Sequence, residues 1–287
     1  MTVTAATENR ILAAPLVLFM LALLGFPVVL SLIYAFSSTT FETLANPQFA
    51  GFENFSRVLA DGNFWGAAWF SLKFGVVTAL AECLLGLFLA VFLAPLIARH
   101  GWMVAVLIAP MIVAPAMMGL MYRLVLHEFV GPLPHYLWEW LGLRVSFFGV
   151  ANVFRTVVII ETLQWTPFAF LLFLTAWQSI PREIREAAAV DGTRPWRMFR
   201  KIELPMMMPT VFVALFIRFI DGFRVFDNIY VLVGAGPGGV TRSMSIYIYE
   251  GFFRSNQIGI ALAASVLLFI AAFATLSLLT RLRGGMR

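Results

Sequence analysis

Glu161, Gln164, Trp165 and Phe168 fall at i, i+3, i+4 and i+7, which on a helix sets a carboxylate, an amide and two aromatic rings on one face. Carboxylates and amides hydrogen-bond hydroxyl groups, and aromatic rings pack on C–H surfaces, so this mixture suits a polyol. Packing between helices is the other use the same face would serve. Further along, Arg218, Asp221, Arg224 and Asp227 recur in steps of three, each beside an opposite charge, in a row that winds by about 60° per step. Such a ladder neutralises itself. It fits a helix wall lining water, or, through Asp221 and Arg224, contact with a solute.

Other chemistry is missing from the chain. It has no G-x-x-x-x-G-K-S/T and no H-E-x-x-H, and its three histidines, His100, His127 and His135, flank loops. With no nucleophile paired to a base, no catalytic residue is expected, and no metal site. Cys83 is the single cysteine, so neither an internal disulfide nor a thiolate cluster can form. Gly234-Ala235-Gly236-Pro237-Gly238-Gly239 satisfies G-x-G-x-x-G. It contains a proline and lacks a βαβ setting, so it reads as a turn.

The elements that must hold these residues are greasy. The chain is 61% hydrophobic and only 12% charged, against about 25% charged in soluble proteins. A bilayer span takes about 20 apolar residues. Six stretches qualify, near 11–36, 67–98, 102–126, 151–179, 208–233 and 256–280, which predicts an all-α membrane protein with both termini on one side. The first stretch contains Pro15 and Pro27 and no small-residue cleavage site, so it is expected to be a retained helix. At membrane depth lie five cations, Lys73, Arg123, Arg155, Arg218 and Arg224, and four acids, Glu82, Glu161, Asp221 and Asp227. The near balance identifies no anionic substrate, although a phosphorylated or sulfonated sugar stays open. Lys73 and Glu82 sit on opposite sides of their helix and need partners elsewhere.

Loop charges orient the chain. Arg10, Arg99, Arg182, Arg185, Arg194, Arg197, Arg200, Lys201, Arg281, Arg283 and Arg287 fall on one side, and Arg57, Arg144, Arg242 and Arg254 on the other. The richer side is expected to be cytoplasmic, and this bias accounts for the net charge of +5 without a nucleic-acid partner. On that side stands a polar segment. Glu186-Ala187-Ala188-Ala189 favours helix, Asp191-Gly192 stops it, and Pro195 opens a second helix expected to end before Pro205. Trp196, Phe199 and Ile202 form an apolar stripe flanked by Arg194, Arg197, Arg200 and Lys201, a surface shaped to fill a groove. On the opposite side Trp65 and Trp69 read as interface anchors, and Asn54-Phe55-Ser56 is a sequon in form only.

Glu186-Ala187-Ala188, Asp191-Gly192, Phe199, Ile202, Leu204-Pro205 and Pro209 resemble the EAA loop of binding-protein-dependent ABC importer permeases. Phe226 to Leu232, Gly236 to Gly239, Thr241, Ile248-Tyr249 and Ala261 to Ser265 resemble the carbohydrate-uptake branch, and the two matches together cover 151–287. The N-terminal half is similar through Gly51-Phe52-Glu53-Asn54-Phe55, Pro110 and Pro115, and departs at Gly131 to Tyr136.

The resemblance implies a type I importer permease fold of six transmembrane helices, with an N-terminal helix and extracytoplasmic segment over 1–66 and a permease core over 67–287 holding an EAA loop at 181–209. It implies a second, non-identical permease subunit, two ATPase subunits that use ATP and Mg, and an extracytoplasmic solute-binding protein, in a bacterial cytoplasmic membrane. No cofactor is expected on this chain. Glu186, Ala187, Ala188, Asp191, Gly192, Phe199, Leu204 and Pro205 are the implied ATPase-coupling residues. A proton-coupled secondary transporter, with Glu82, Glu161 or Asp221 as proton carrier, is the alternative; it leaves the polar hairpin unexplained and no internal repeat supports it.

Overall fold

The structure is a computed structural model that describes residues 5–284. Of the cations counted above, Arg287 lies outside the described residues, as do the side chains of Arg10, Arg281 and Arg283. The chain divides into two compact units, 1–65 with 247–287, and 66–246.

In the first unit, α1 (Ala5–Met20) passes through a π-helical turn at Leu21–Gly25 into α2 (Phe26–Ala35). Leu16, Phe19, Leu23, Phe26, Val29 and Ile33 are all exposed along it, as a lipid-facing helix requires. A two-residue antiparallel ladder follows, β1 (Ser37–Ser38) on β2 (Gln48–Phe49), with Ser37 opposite Phe49. Next comes α3 (Glu53–Ala60). Asn54 is buried there and donates to the carbonyls of Ala35 at 2.9 Å and Ser37 at 2.8 Å, closing the end of α2, so this asparagine is structural. Beside it a Cβ on Gly259 would meet the Ser37 carbonyl at 2.3 Å.

The second unit carries the polar residues. Its helices are α4 (Gly62–Arg99, whose first turn counts with the first unit), α5 (Trp102–Ile112), α6 (Pro115–Val125), α7 (Pro132–Leu141), α8 (Val153–Gln178), α9 (Arg182–Val190), α10 (Pro195–Met198), α11 (Leu204–Phe223) and α12 (Asp227–Val233). Helices α13 (Met244–Tyr249) and α14 (Ile258–Gly284) complete the chain. Along α4, Leu72, Val76, Leu80, Leu84, Phe88 and Phe92 face outward, while Ser71, Thr78 and Glu82 are buried. Large apolar side chains thus face outward, and the buried polar ones lie within among apolar neighbours, as lipid surroundings favour.

Among the described residues, four helical stretches are long and apolar enough to cross a membrane: Leu12–Ala35, Gly62–Ile97, Val153–Gln178 and Pro195–Val233. The stretch expected to be one span at 102–126 is instead α5 and α6, bent by 86°. Pro115 causes the break. It holds Ala114 extended, at ψ 137°, because the residue before proline is driven out of the helical region, and Val113 before it is extended as well, at ψ 130°. If the pair counts as one span the number is five, and Ile258–Ala274 is a shorter apolar helix.

The polar segment also differs from expectation at its far end. The second short helix does not stop before Pro205 but continues from α10 through a π-helical turn, Phe199–Glu203, into α11. Pro205 sits in the first turn of α11, where proline fits a helical chain without crowding a preceding turn of α-helix.

Candidate functional site

Two apolar clusters divide the second unit. One gathers Cys83, Ala90, Ala169, Phe170, Phe173, Met207 and Ala214; the other gathers Phe74, Met118, Val157, Ile160, Val225 and Ile229. Along α4, α8 and α11 alike, one buried charged residue lies between the two clusters: Glu82, Glu161 and Arg218.

Arg218 is the hub. Its side chain is 2% exposed. Nε donates to Glu82 Oε2 at 2.5 Å, Nη1 to Asp221 Oδ2 at 3.2 Å, and Nη2 lies 3.9 Å from Glu161 Oε1. The guanidinium carbon is 4.6 Å from the centre of the Trp165 ring and 5.7 Å from that of Phe168, within reach of cation–π attraction. Asn228 Nδ2 donates to Glu161 Oε2, and Arg224 Nη2 donates to Asp221 Oδ1 at 3.1 Å. A guanidinium out of water needs opposite charge and partners for its donors: Glu82 and Asp221 accept from it, and Glu161 adds its charge at 3.9 Å.

Close helix contact makes this possible. Gly75, Thr78 and Glu82 share one face of α4, and Arg218 and Gly222 one face of α11. A Cβ on Gly222 would lie 3.0 Å from Gly75 Cα and 2.8 Å from Thr78 Oγ1, and one on Gly75 would lie 2.9 Å from the Phe223 nitrogen. Glycine on both sides lets the backbones approach until Glu82 and Arg218 meet.

The structure thus brings Glu161, Trp165, Phe168 and Asp221 around Arg218, and reaches Arg224 through Asp221. Gln164 does not join them. It is fully buried, and its Nε2 donates to the Val113 carbonyl at 3.0 Å, in the break between α5 and α6. Asp227, expected as the last rung of the ladder, is exposed at the start of α12, because α11 ends at Phe223. Lys73 finds its partner in the Phe154 ring, 4.1 Å away. Sequence reasoning missed Asn228 and the pairing of Glu82 with Arg218. The need for a partner at Glu82 was legible; its identity, 136 residues away, was not.

The hairpin forms a second site. In α9 Ala188 is buried, while Glu186, Ala187, Ala189 and Val190 are exposed. Asp191 and Gly192 close it with Thr193 N–H bonded to the Ala188 carbonyl at 3.0 Å, and Gly192 has φ +69°, a left-handed helix end that glycine adopts without strain. Trp196 is exposed and its ring lies 5.5 Å from that of Phe199. Arg185 ties the hairpin inward. Its Nε donates to Glu203 Oε1 at 2.9 Å and its Nη2 to the Trp177 carbonyl at 2.6 Å, with the guanidinium 3.6 Å from the Trp177 ring centre.

A buried charge centre thus lies among apolar helices, and an exposed hairpin leads straight into the helix that carries Arg218. Residues 2–287 match the family described as binding-protein-dependent transport system inner membrane component. The chain belongs to this family. Relatives include the trehalose/maltose transport system permease protein MalF of Thermococcus litoralis, 34% identical over 77% of this chain and 75% of its own. The trehalose transport system permease protein SugA of Mycobacterium tuberculosis is 31% identical over 90% and 82%. Among solved structures, a chain of a bacterial ABC transporter that imports the acidic polysaccharide alginate superposes with a TM-score of 0.83, covering 96% of each chain at 21% identity. The permease shares that fold, and the resemblance to importer permeases holds over the whole chain. Nothing in these similarities supports a proton-coupled carrier.

Proposed function

We propose that this permease is the membrane-spanning subunit of an ATP-driven importer for a sugar or sugar derivative handed over by an extracytoplasmic solute-binding protein. The exposed hairpin carries the reading: the chain has a polar surface built to fill a groove and no nucleotide-binding sequence of its own, so energy must arrive from another subunit. Glu186, Ala187, Ala188, Asp191, Gly192, Phe199, Leu204 and Pro205 make up the coupling element. Two ATPase subunits bind ATP and Mg, a second, non-identical permease completes the pathway, and this chain holds no cofactor.

The chain spans a bacterial cytoplasmic membrane six times, with the bent pair α5 and α6 as one span, α14 as the last, and both termini in the cytoplasm. The sugar class is supported by the two trehalose permeases, whose identity to this chain exceeds 30%. Within the chain, Trp165, Phe168, Asp221 and Arg224 are the pathway residues nearest the charge centre, and Glu161 and Gln164 hold the helices that bear them. The charge pattern favours a neutral sugar over an anionic one, because Arg218 is already engaged by three acids.

Reconstitution tests this. The complete complex in proteoliposomes should take up radiolabelled trehalose or maltose only when loaded binding protein is outside and Mg-ATP is present on the hairpin side. Uptake driven by a proton gradient without ATP would refute the importer reading.

A further inference from the structure

We propose that Arg185 is the positioning residue that makes the coupling hairpin move as one body with the membrane helices, bracing α9 against Trp177 at the end of α8 and Glu203 ahead of α11. The proposal rests on reading the hairpin as the ATPase contact.

Three elements meet on one guanidinium. Glu203 is 3% exposed, and its Oε1 accepts from Nε at 2.9 Å; the Trp177 carbonyl accepts from Nη2 at 2.6 Å; the Trp177 indole lies under the guanidinium plane at 3.6 Å. Trp177 belongs to the last turn of α8, the negative end of that helix, which favours a cation. Only arginine can present a fork to a carboxylate and a carbonyl while stacking on an aromatic face; lysine offers a single point charge.

The brace uses only the inner face of α9. Arg185 and Ala188, three residues apart, point inward, while Glu186 and Val190 are exposed and free to meet another subunit. Without the brace, α9 would join α10 through the Gly192 turn alone, and a push on the outer face would bend the hairpin there instead of reaching α8 and α11. Arg185 therefore stands between the contact surface and the helices that carry the charge centre.

The test uses spin labels at Leu163→Cys and Val190→Cys, both exposed in the parent, in a Cys83→Ser background, with the full complex in nanodiscs. The parent should give one narrow distance distribution, unchanged by Mg-ATP with vanadate. Arg185→Ala and Glu203→Arg should broaden it. Uptake per ATP should fall about tenfold in Arg185→Ala, the scale of one charged hydrogen bond lost, at an unchanged half-maximal concentration of binding protein. A parental distribution or parental coupling in Arg185→Ala would overturn the brace. Should that variant not purify, Arg185→Lys decides on the same readout: the charge is kept, the fork and stack are lost, and the distribution broadens or the proposal fails. Glu186→Lys separates the underlying reading. If ATPase subunits still co-purify with that variant, the hairpin is not their contact and the coupling half falls, while the distance result still judges the brace.

Discussion

Arg218 concentrates the chemistry of this permease in one side chain, and what it does follows from what its removal would leave. Glu82, Glu161 and Asp221 converge on it from α4, α8 and α11, so an apolar replacement strands acids in a water-poor interior. Breaking a buried pair from one side costs about 3–5 kcal/mol. Arg218→Met should lower the thermal unfolding midpoint of the purified chain far more than Glu82→Gln, whose amide oxygen still accepts from Nε and whose loss is on the order of one charged hydrogen bond, about 1.5–3 kcal/mol. Equal loss in the two variants would mean that the guanidinium does not hold the centre. Such centres add little net stability compared with well-packed apolar groups. The consequence here is one of register: Glu82 reaches Nε only if α4 and α11 cross at Gly75 and Gly222.

That crossing is an element-scale property, and it is testable without touching a charge. Gly222→Leu would drive a side chain into Gly75 Cα and Thr78 Oγ1, at 3.0 and 2.8 Å from the position of the first added carbon. Overpacking costs about 1–3 kcal/mol, and the separation should also part Arg218 from Glu82, so Glu82→Gln should cost less in the Gly222→Leu background than alone. Strict additivity in a double-mutant cycle would refute that link. The hairpin makes a matching prediction: Gly192 holds φ +69°, which proline cannot adopt, so Gly192→Pro should abolish co-purification of the ATPase subunits while the helical circular dichroism is kept. The stop at Asp191-Gly192 was legible in the sequence because its signal is local, and the α8 face was legible because periodicity puts Glu161, Trp165 and Phe168 together whatever the fold. The bend at Pro115 was not. Pro15, Pro95, Pro110, Pro167 and Pro209 all lie inside helices, so proline alone does not mark a break in this chain. Gln164, read as part of the α8 face, turned out to serve that bend, which only tertiary contact reveals. Glu82 and Arg218 lie 136 residues apart, beyond any local pattern.

At the scale of the whole molecule, the reading stands or falls on which way the chain faces. On the proposed six-span topology eleven of the loop cations fall on the hairpin side and four on the other, and cations resist translocation, so the hairpin side should stay in the cytoplasm. Two exposed residues make this measurable: Val190 at the hairpin is 88% exposed, and Phe129, on the segment between α6 and α7, is 87% exposed. Cys83 is the only cysteine and is buried, so a Cys83→Ser background carries each probe alone. With a membrane-impermeant maleimide on spheroplasts, Phe129→Cys should label at once, and Val190→Cys only after the membrane is opened. The reverse pattern would put the hairpin outside, away from any source of ATP, and would remove the physical basis for coupling. Labelling of both probes from outside would break the span count between residues 129 and 190, where α8 is the one long apolar helix. A cytoplasmic Val190 and an external Phe129 together require α8 to cross the bilayer once, which carries Glu161 through the membrane on the helix whose last turn meets Arg185.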